Sequence, residues 1–288
     1  MDYAQHLLIV ILLYGALTVS LDLMIGHTGI LSFGHAAFYG IGGYATAILT
    51  VYAGWDWLPA MIAAILIGAA SAALVGIPTL RLGGDYFILA LFGFQSIVTD
   101  LILNVEPLTN GPFGIRGIPR PSFAGYTVQS GPGILVFTAF GTLIVFLIHW
   151  RFISSPMKAV LHAIRDDEPV AMALGIDVVR TKILIFALGG GFAAFAGALA
   201  VFYFRFISVG SFTLVTMILL WAMVYVGGSC SILGALVGPA ILILFPELFR
   251  FVGDIGMDVA NIQEALYGLL LVLLMLYRPQ GLVGQSGG

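Results

Sequence analysis

Charge is what this sequence has least of. Only 9% of its 288 residues are Asp, Glu, Lys or Arg, against about 25% in an ordinary soluble domain. A surface so poor in charge cannot keep a globule of this size in water, which excludes the soluble single-domain enzymes as a class. Cysteine is nearly absent. Cys230 stands alone, so an internal disulfide and a cluster of cysteine metal ligands are both excluded. Basic residues are not in excess, with a formal net charge of −3, and the electrostatic footprint of a nucleic-acid binder is missing. No Gly-x-x-x-x-Gly-Lys-Ser/Thr loop occurs, so any nucleotide-driven work needs its motor on another chain. Nor does any convergent set of nucleophile, base and orienting group stand out. The chain reads as non-enzymatic, with no catalytic residues.

What it has instead is apolar length. Hydrophobic residues make up 60% of the chain, gathered into runs that approach the ~20 residues a helix needs to cross hydrocarbon. Nine such segments are read: Leu7–Ile25, Gly34–Val51, Leu58–Ile77, Tyr86–Asn104, Gly133–Trp150, Ile183–Phe204, Phe212–Val226, Ile232–Phe251 and Ile262–Tyr277. They do not alternate as barrel strands would. The expected fold is an all-α polytopic membrane bundle of 8–10 segments, one transmembrane domain over 1–288. The Gly34 and Phe212 segments are short or glycine-interrupted, so each is a candidate broken or re-entrant element. The first six residues lack a basic region of the signal-peptide kind, so the first run is expected to remain as a membrane helix.

Basic residues orient the bundle. With nine crossings and a cytoplasmic C-terminus, Arg81, Arg151, Lys158, Arg165, Arg180, Lys182 and Arg278 fall inside, and Arg116, Arg120, Arg205 and Arg250 outside. Two connections are long. Residues 105–132, with Asn110-Gly111-Pro112 and Pro119-Arg120-Pro121, are expected to form an irregular external cap of turns and extended chain. Residues 151–182 form the charged cytoplasmic loop.

Within that loop, Arg165-Asp166-Asp167-Glu168-Pro169-Val170-Ala171-Met172-Ala173-Leu174-Gly175 has the chemistry of a short helix. Asp166 or Asp167 can cap the first free amides, Pro169 suits an early helical position, and Gly175 is a natural terminator. Small apolar residues beside charges suit docking into another protein's groove; the alternative is a charged connector. A second stretch, Gly26–Tyr44, is rich in glycine and carries His27, Ser32 and His35. A broken helix here could line a solute path, with Gly29, Ser32, Gly34, His35, Phe38 and Gly40 as its candidate residues. Close helix packing is the other reading. Neither histidine has a second ligand at metal-binding spacing along the chain, so no metal site is expected. Gly228–Leu233 faintly echoes Gly26–Leu31. Asp22, Asp100, Glu247 and Glu264 are the acids in or near spans. Each sits near a span end, where its side chain can reach the interface, although a proton relay in an ion-coupled transporter would use the same residues.

Six blocks in order resemble one family: Gly26–Tyr44 (GHTGILSFGHAAFYGIGGY), Leu80–Leu91 (LRLGGDYFILAL), Asn110–Pro119 (NGPFGIRGIP), Ala163–Ile176 (AIRDDEPVAMALGI), Gly234–Pro239 (GALVGP) and Leu266–Gly284 (LYGLLLVLLMLYRPQGLVG). Together they resemble the M-type (LivM-like) permease subunits of binding-protein-dependent ABC importers for branched-chain amino acids. That resemblance implies a coupling helix at Arg165–Gly175, with Arg165, Asp166, Asp167, Glu168, Ala171 and Gly175 meeting a cytoplasmic ATPase. Pro169 departs from the family's more usual aliphatic residue. It also implies a second, H-type (LivH-like) permease, two ATP-binding subunits that hold the ATP and Mg, and a periplasmic solute-binding protein over residues 105–132. The chain itself would need no cofactor and would form half of the path across a bacterial inner membrane. Urea, short amides or aromatic acids are alternative substrates for the same architecture.

Overall fold

The computed structural model describes residues 3–82, 84–123, 126–128, 131–252, 268 and 281–283. Eight helices match the first eight apolar segments: α1 (Tyr3–Thr28), α2 (His35–Val51), α3 (Trp57–Thr79), α4 (Asp85–Asn104), α6 (Pro132–Ile153), α9 (Val178–Phe204), α10 (Leu214–Gly227) and α11 (Gly234–Val252). Three short helices join them: α5 (Glu106–Thr109), α7 (Met157–Asp166) and α8 (Glu168–Ala173). Among the described residues, six helices are long and apolar enough to cross a membrane: α1, α3, α4, α6, α9, and α10 taken with the 3-10 turn Val209–Phe212 before it. α2 falls short at 17 residues, a rise of about 25 Å. The ninth segment, Ile262–Tyr277, lies outside the described residues, as does Glu264.

α1 and α9 form the centre, and α2 and α3 run along α9. Small residues make this closeness possible. A Cβ on Gly42 of α2 would overlap the backbone of Ala194, and one on Gly197 of α9 would overlap the Tyr39 carbonyl. The two backbones therefore touch, which favours dispersion contact where no water is released to drive association. Large apolar side chains that are exposed lie mainly on α3, α4 and α6, as with Leu66, Leu74, Leu89, Ile97, Val136 and Phe140. Apolar faces turned outward are what a bilayer accepts.

The two ends of the bundle differ. One holds the long connection after α4, which is irregular as expected. After α5 it carries a 3-10 turn at Gly111–Phe113 and strands β1 (Ile115–Arg116), β2 (Ser122–Phe123) and β3 (Tyr126–Thr127). β1 pairs antiparallel with β4 (Phe206–Ile207), which follows α9. Arg205 turns the chain there at φ 55 and donates from Nε to the Ile118 carbonyl at 3.0 Å. Trp57 Nε1 donates to the Ser122 carbonyl at 2.6 Å. The opposite, charged end holds α7, α8 and the starts of α2, α4, α9 and α11. Residues 281–283 lie at this charged end, where the Leu282 and Val283 amides donate to the Val226 and Gly227 carbonyls at 3.0 and 3.1 Å. Tyr3 starts at the far end, since His6 of α1 meets the Tyr203 hydroxyl near the end of α9. The first and last described residues thus lie at opposite ends.

Candidate functional site

The charged connection folds as two helices, not one. α7 ends at Asp166, and Asp167, extended at φ −156, starts α8 by accepting the Val170 amide on Oδ1 at 3.1 Å. The cap is therefore Asp167, the second of the two aspartates that composition allowed. Pro169 sits in the first turn, where its missing N–H leaves nothing unpaired. At the other end Gly175 adopts φ +84. Its amide donates to Met172 O at 3.0 Å and the Ile176 amide to Ala171 O at 3.1 Å, the paired bonds of a Schellman stop. A helix of six residues is too short to persist alone, so its seat matters. Ala171 is fully buried against Ile164 and Val178, with Ile176 packed on that cluster. Glu168 forms an ion pair with Lys182 in the first turns of α9.

This geometry divides the expected docking residues. Val170, Met172 and Leu174 are exposed, Leu174 at 73%. Those three, which composition did not single out, form the outward apolar face. Ala171 points inward and seats the helix. Arg165 belongs to the last turn of α7, and its guanidinium turns toward the bundle, donating from Nη1 to the Gly26 carbonyl and to Cys230 Sγ at 3.0 Å. The second helix, α8, thus starts at Glu168, three residues later than Arg165, because Asp167 breaks the helical path.

Around Arg165 lies a polar cluster at the same end. Asp22 is 1% exposed and does not reach the interface as its place near a span end suggested. Its Oδ1 accepts the Cys230 amide at 2.9 Å. His27 is fully buried, with Nδ1 3.3 Å from His162 Nε2 and Nε2 3.8 Å from Asp22 Oδ2. His149 of α6 lies beside it, ring centroids 5.6 Å apart. His162 on α7 is held below its ordinary value by burial first, then by Lys158 and Arg165. Spacing along the chain offered His27 no co-ligand; folding brings Asp22 of α1, His149 of α6 and His162 of α7 to it. Cys230 Sγ donates to the Gly26 carbonyl at 2.9 Å, so the two stretches that echo each other in sequence meet face to face. Asp100 is exposed.

The glycine-rich stretch is a connection between helices. α1 ends at Thr28, Gly29 turns at φ +69 beside Arg165, and α2 starts after Gly34. Gly29 borders a cleft at the charged end with Arg81, Asp85, Glu168 and Lys182. The other five residues pack inward. Gly34 lies against Leu91, and a Cβ at Gly40 would come within 2.7 Å of the Phe212 ring. Phe38 sits among Phe94 and Phe186. His35 Nε2 meets Ser20 Oγ at 2.7 Å, and the Ser32 hydroxyl is buried.

Residues 3–276 match the family described as "Branched-chain amino acid transport system / permease component". The chain belongs to this family. A relative in Salmonella typhimurium, the high-affinity branched-chain amino acid transport permease LivM, is 32% identical over 94% of this chain and 68% of its own length. The corresponding LivH permease of Escherichia coli is 25% identical, over 94% and 91% of the two chains. A solved ABC transporter described as metal-chelate type, in an inward-facing conformation, superposes with TM-score 0.52 at 18% identity, covering 94% of this permease and 84% of that chain. At that identity the likeness speaks for the fold alone.

Proposed function

We propose that this permease is the M-type half of an ATP-driven, binding-protein-dependent importer for branched-chain or other hydrophobic amino acids. Its counterpart is an H-type permease, and two cytoplasmic ATP-binding subunits supply the work. The carrying observation is α8. An independently capped helix sits at the charged end, inner face seated by Ala171 and outer face offering Val170, Met172 and Leu174 to a groove. The Glu168–Lys182 pair ties it to α9, so force on α8 reaches the bundle centre. In this reading the charged end is cytoplasmic, and the C-terminus with it, in line with residues 281–283 returning there. The connection around β1–β3 then faces the periplasmic binding protein. In this reading Gly29, Ser32 and Gly34 in the α1–α2 connection, and His35, Phe38 and Gly40 in the first turns of α2, border the path chiefly by packing.

The test is reconstitution of the complete complex in proteoliposomes with its binding protein. ATP-dependent uptake of labelled leucine is expected from the native complex. A chain carrying both Met172→Asp and Leu174→Asp should hydrolyse ATP without uptake, or lose the ATPase altogether. Full uptake by that assembled variant would sink the coupling assignment. Uptake driven by a pH gradient through this chain alone would replace the reading with an ion-coupled carrier.

A further inference from the structure

We infer that Asp22, His27 and His149 form a binding site for a divalent transition-metal ion of the zinc class. The three side chains come from two helices, α1 and α6, and are 1%, 0% and 1% exposed. Their ligand atoms lie within 4.8 Å of one another. Among the described residues, Asp22 Oδ2, His27 Nε2 and both ring nitrogens of His149 have no hydrogen-bond partner. Three buried ligand atoms, one from each residue, converge here, and leaving such atoms unjoined is costly. Ordinary packing gives no reason for them to face each other.

A two-histidine, one-carboxylate set is a familiar donor set for zinc, leaving a fourth position open to water. Zinc bonds to nitrogen and oxygen run near 2.0–2.2 Å, so ligand atoms around a tetrahedral ion lie roughly 3.3–3.5 Å apart. The 3.8 Å between Asp22 Oδ2 and His27 Nε2 closes to that span with a small side-chain rotation. The outer supports are already in place. Cys230 N–H donates to Asp22 Oδ1 at 2.9 Å and fixes the carboxylate. His162 Nε2, 3.3 Å from His27 Nδ1, orients that ring through its other nitrogen, the usual way an outer group holds a histidine ligand. On binding the metal the Asp22 carboxylate would give up its proton and offset one charge of the ion. Of the neighbouring cations, Arg165 turns its guanidinium to the Gly26 carbonyl and Cys230 sulfur, outside the triad. A second grouping, His27, His162 and Cys230, is the weaker site, since Arg165 occupies the sulfur and His162 already meets His27.

The test uses the assembled transporter in detergent, stripped with chelator and titrated with Zn²⁺ against a coloured competitor. Co²⁺ is the spectroscopic probe, its visible bands separating four-coordinate from six-coordinate binding. One ion per copy of this chain is expected, with a low-coordinate Co²⁺ spectrum. Asp22→Asn and His149→Gln should each weaken binding about 100-fold or more, and His162→Ala about 10-fold, as loss of an outer support does. Cys230→Ser keeps its backbone amide and should leave affinity unchanged. If His149→Gln does not assemble, Asp22→Asn carries the same comparison. Failure of the native complex to take up Zn²⁺ overturns the assignment. So does equal affinity in native and Asp22→Asn proteins, and loss on Cys230→Ser would move the ion to the other grouping and refute this one.

Discussion

Replacing Gly175 isolates the strain at the end of α8 from every other effect. The residue sits at φ +84, and nothing lies within 4 Å of the position a Cβ would take. Alanine there meets no clash, so its whole effect is the left-handed backbone, which costs an L-residue roughly 1–2 kcal/mol. Nothing in α8 can spread that cost, because the helix has six residues and a single buried anchor, Ala171. The expected result of Gly175→Ala is an increase of about 5–30-fold in local opening of the Schellman turn. Asparagine tolerates the left-handed region far better, so Gly175→Asn should recover most of the loss despite its larger side chain. Hydrogen exchange at the Gly175 (residue 175) and Ile176 amides, read in the assembled transporter beside the ratio of ATP hydrolysed to solute imported, measures both steps. If both variants exchange like the native chain, the strain argument is wrong. If exchange quickens in Gly175→Ala and the ratio does not move, the helix is not the coupling element.

Three further outcomes follow from the packing. Gly42→Val and Gly197→Val push a side chain into the partner helix's backbone, which cannot give; no monodisperse folded protein should elute from either. Gly93 in the interior of α4 has open space around it, so Gly93→Ala should raise stability by about 0.5–1 kcal/mol, read as a higher thermal midpoint. Ala171→Leu overpacks the seat of α8 at a cost of about 1–3 kcal/mol and should loosen the helix against proteolysis, whereas Leu174→Ala should leave stability alone and lower only ATPase binding.

Much of this was legible from composition because membrane helices declare themselves by length. Eight of the nine apolar segments coincide with helices, and the caps of α8 follow from residue types acting within a few positions. The ends of that helix were less legible: either aspartate could cap, and only the extended backbone at Asp167 shows that Arg165 belongs to the turn before. The polar cluster was invisible for a different reason. Its contacts join residues 135 and 208 positions apart, as between His27 and His162 and between Asp22 and Cys230, and no spacing rule reaches across helices whose order in space is unknown. Asp22 looked free to reach the interface because distance along a span says nothing about which way the helix turns its face. The inward packing of Phe38 and Gly40 was hidden likewise, since glycine-rich sequence is equally suited to a path and to close approach.

α9 runs unbroken for 27 residues, about 40 Å, with Lys182 holding α8 near its start and Arg205 gripping the far loop through Ile118 just beyond its end. A rod of that length converts angle into distance. A tilt of about 10° about one end carries the other roughly 7 Å, more than the width of an amino-acid side chain. The close-packed glycines of the centre lay α2 and α3 directly against it, so the rod swings with its neighbours or not at all.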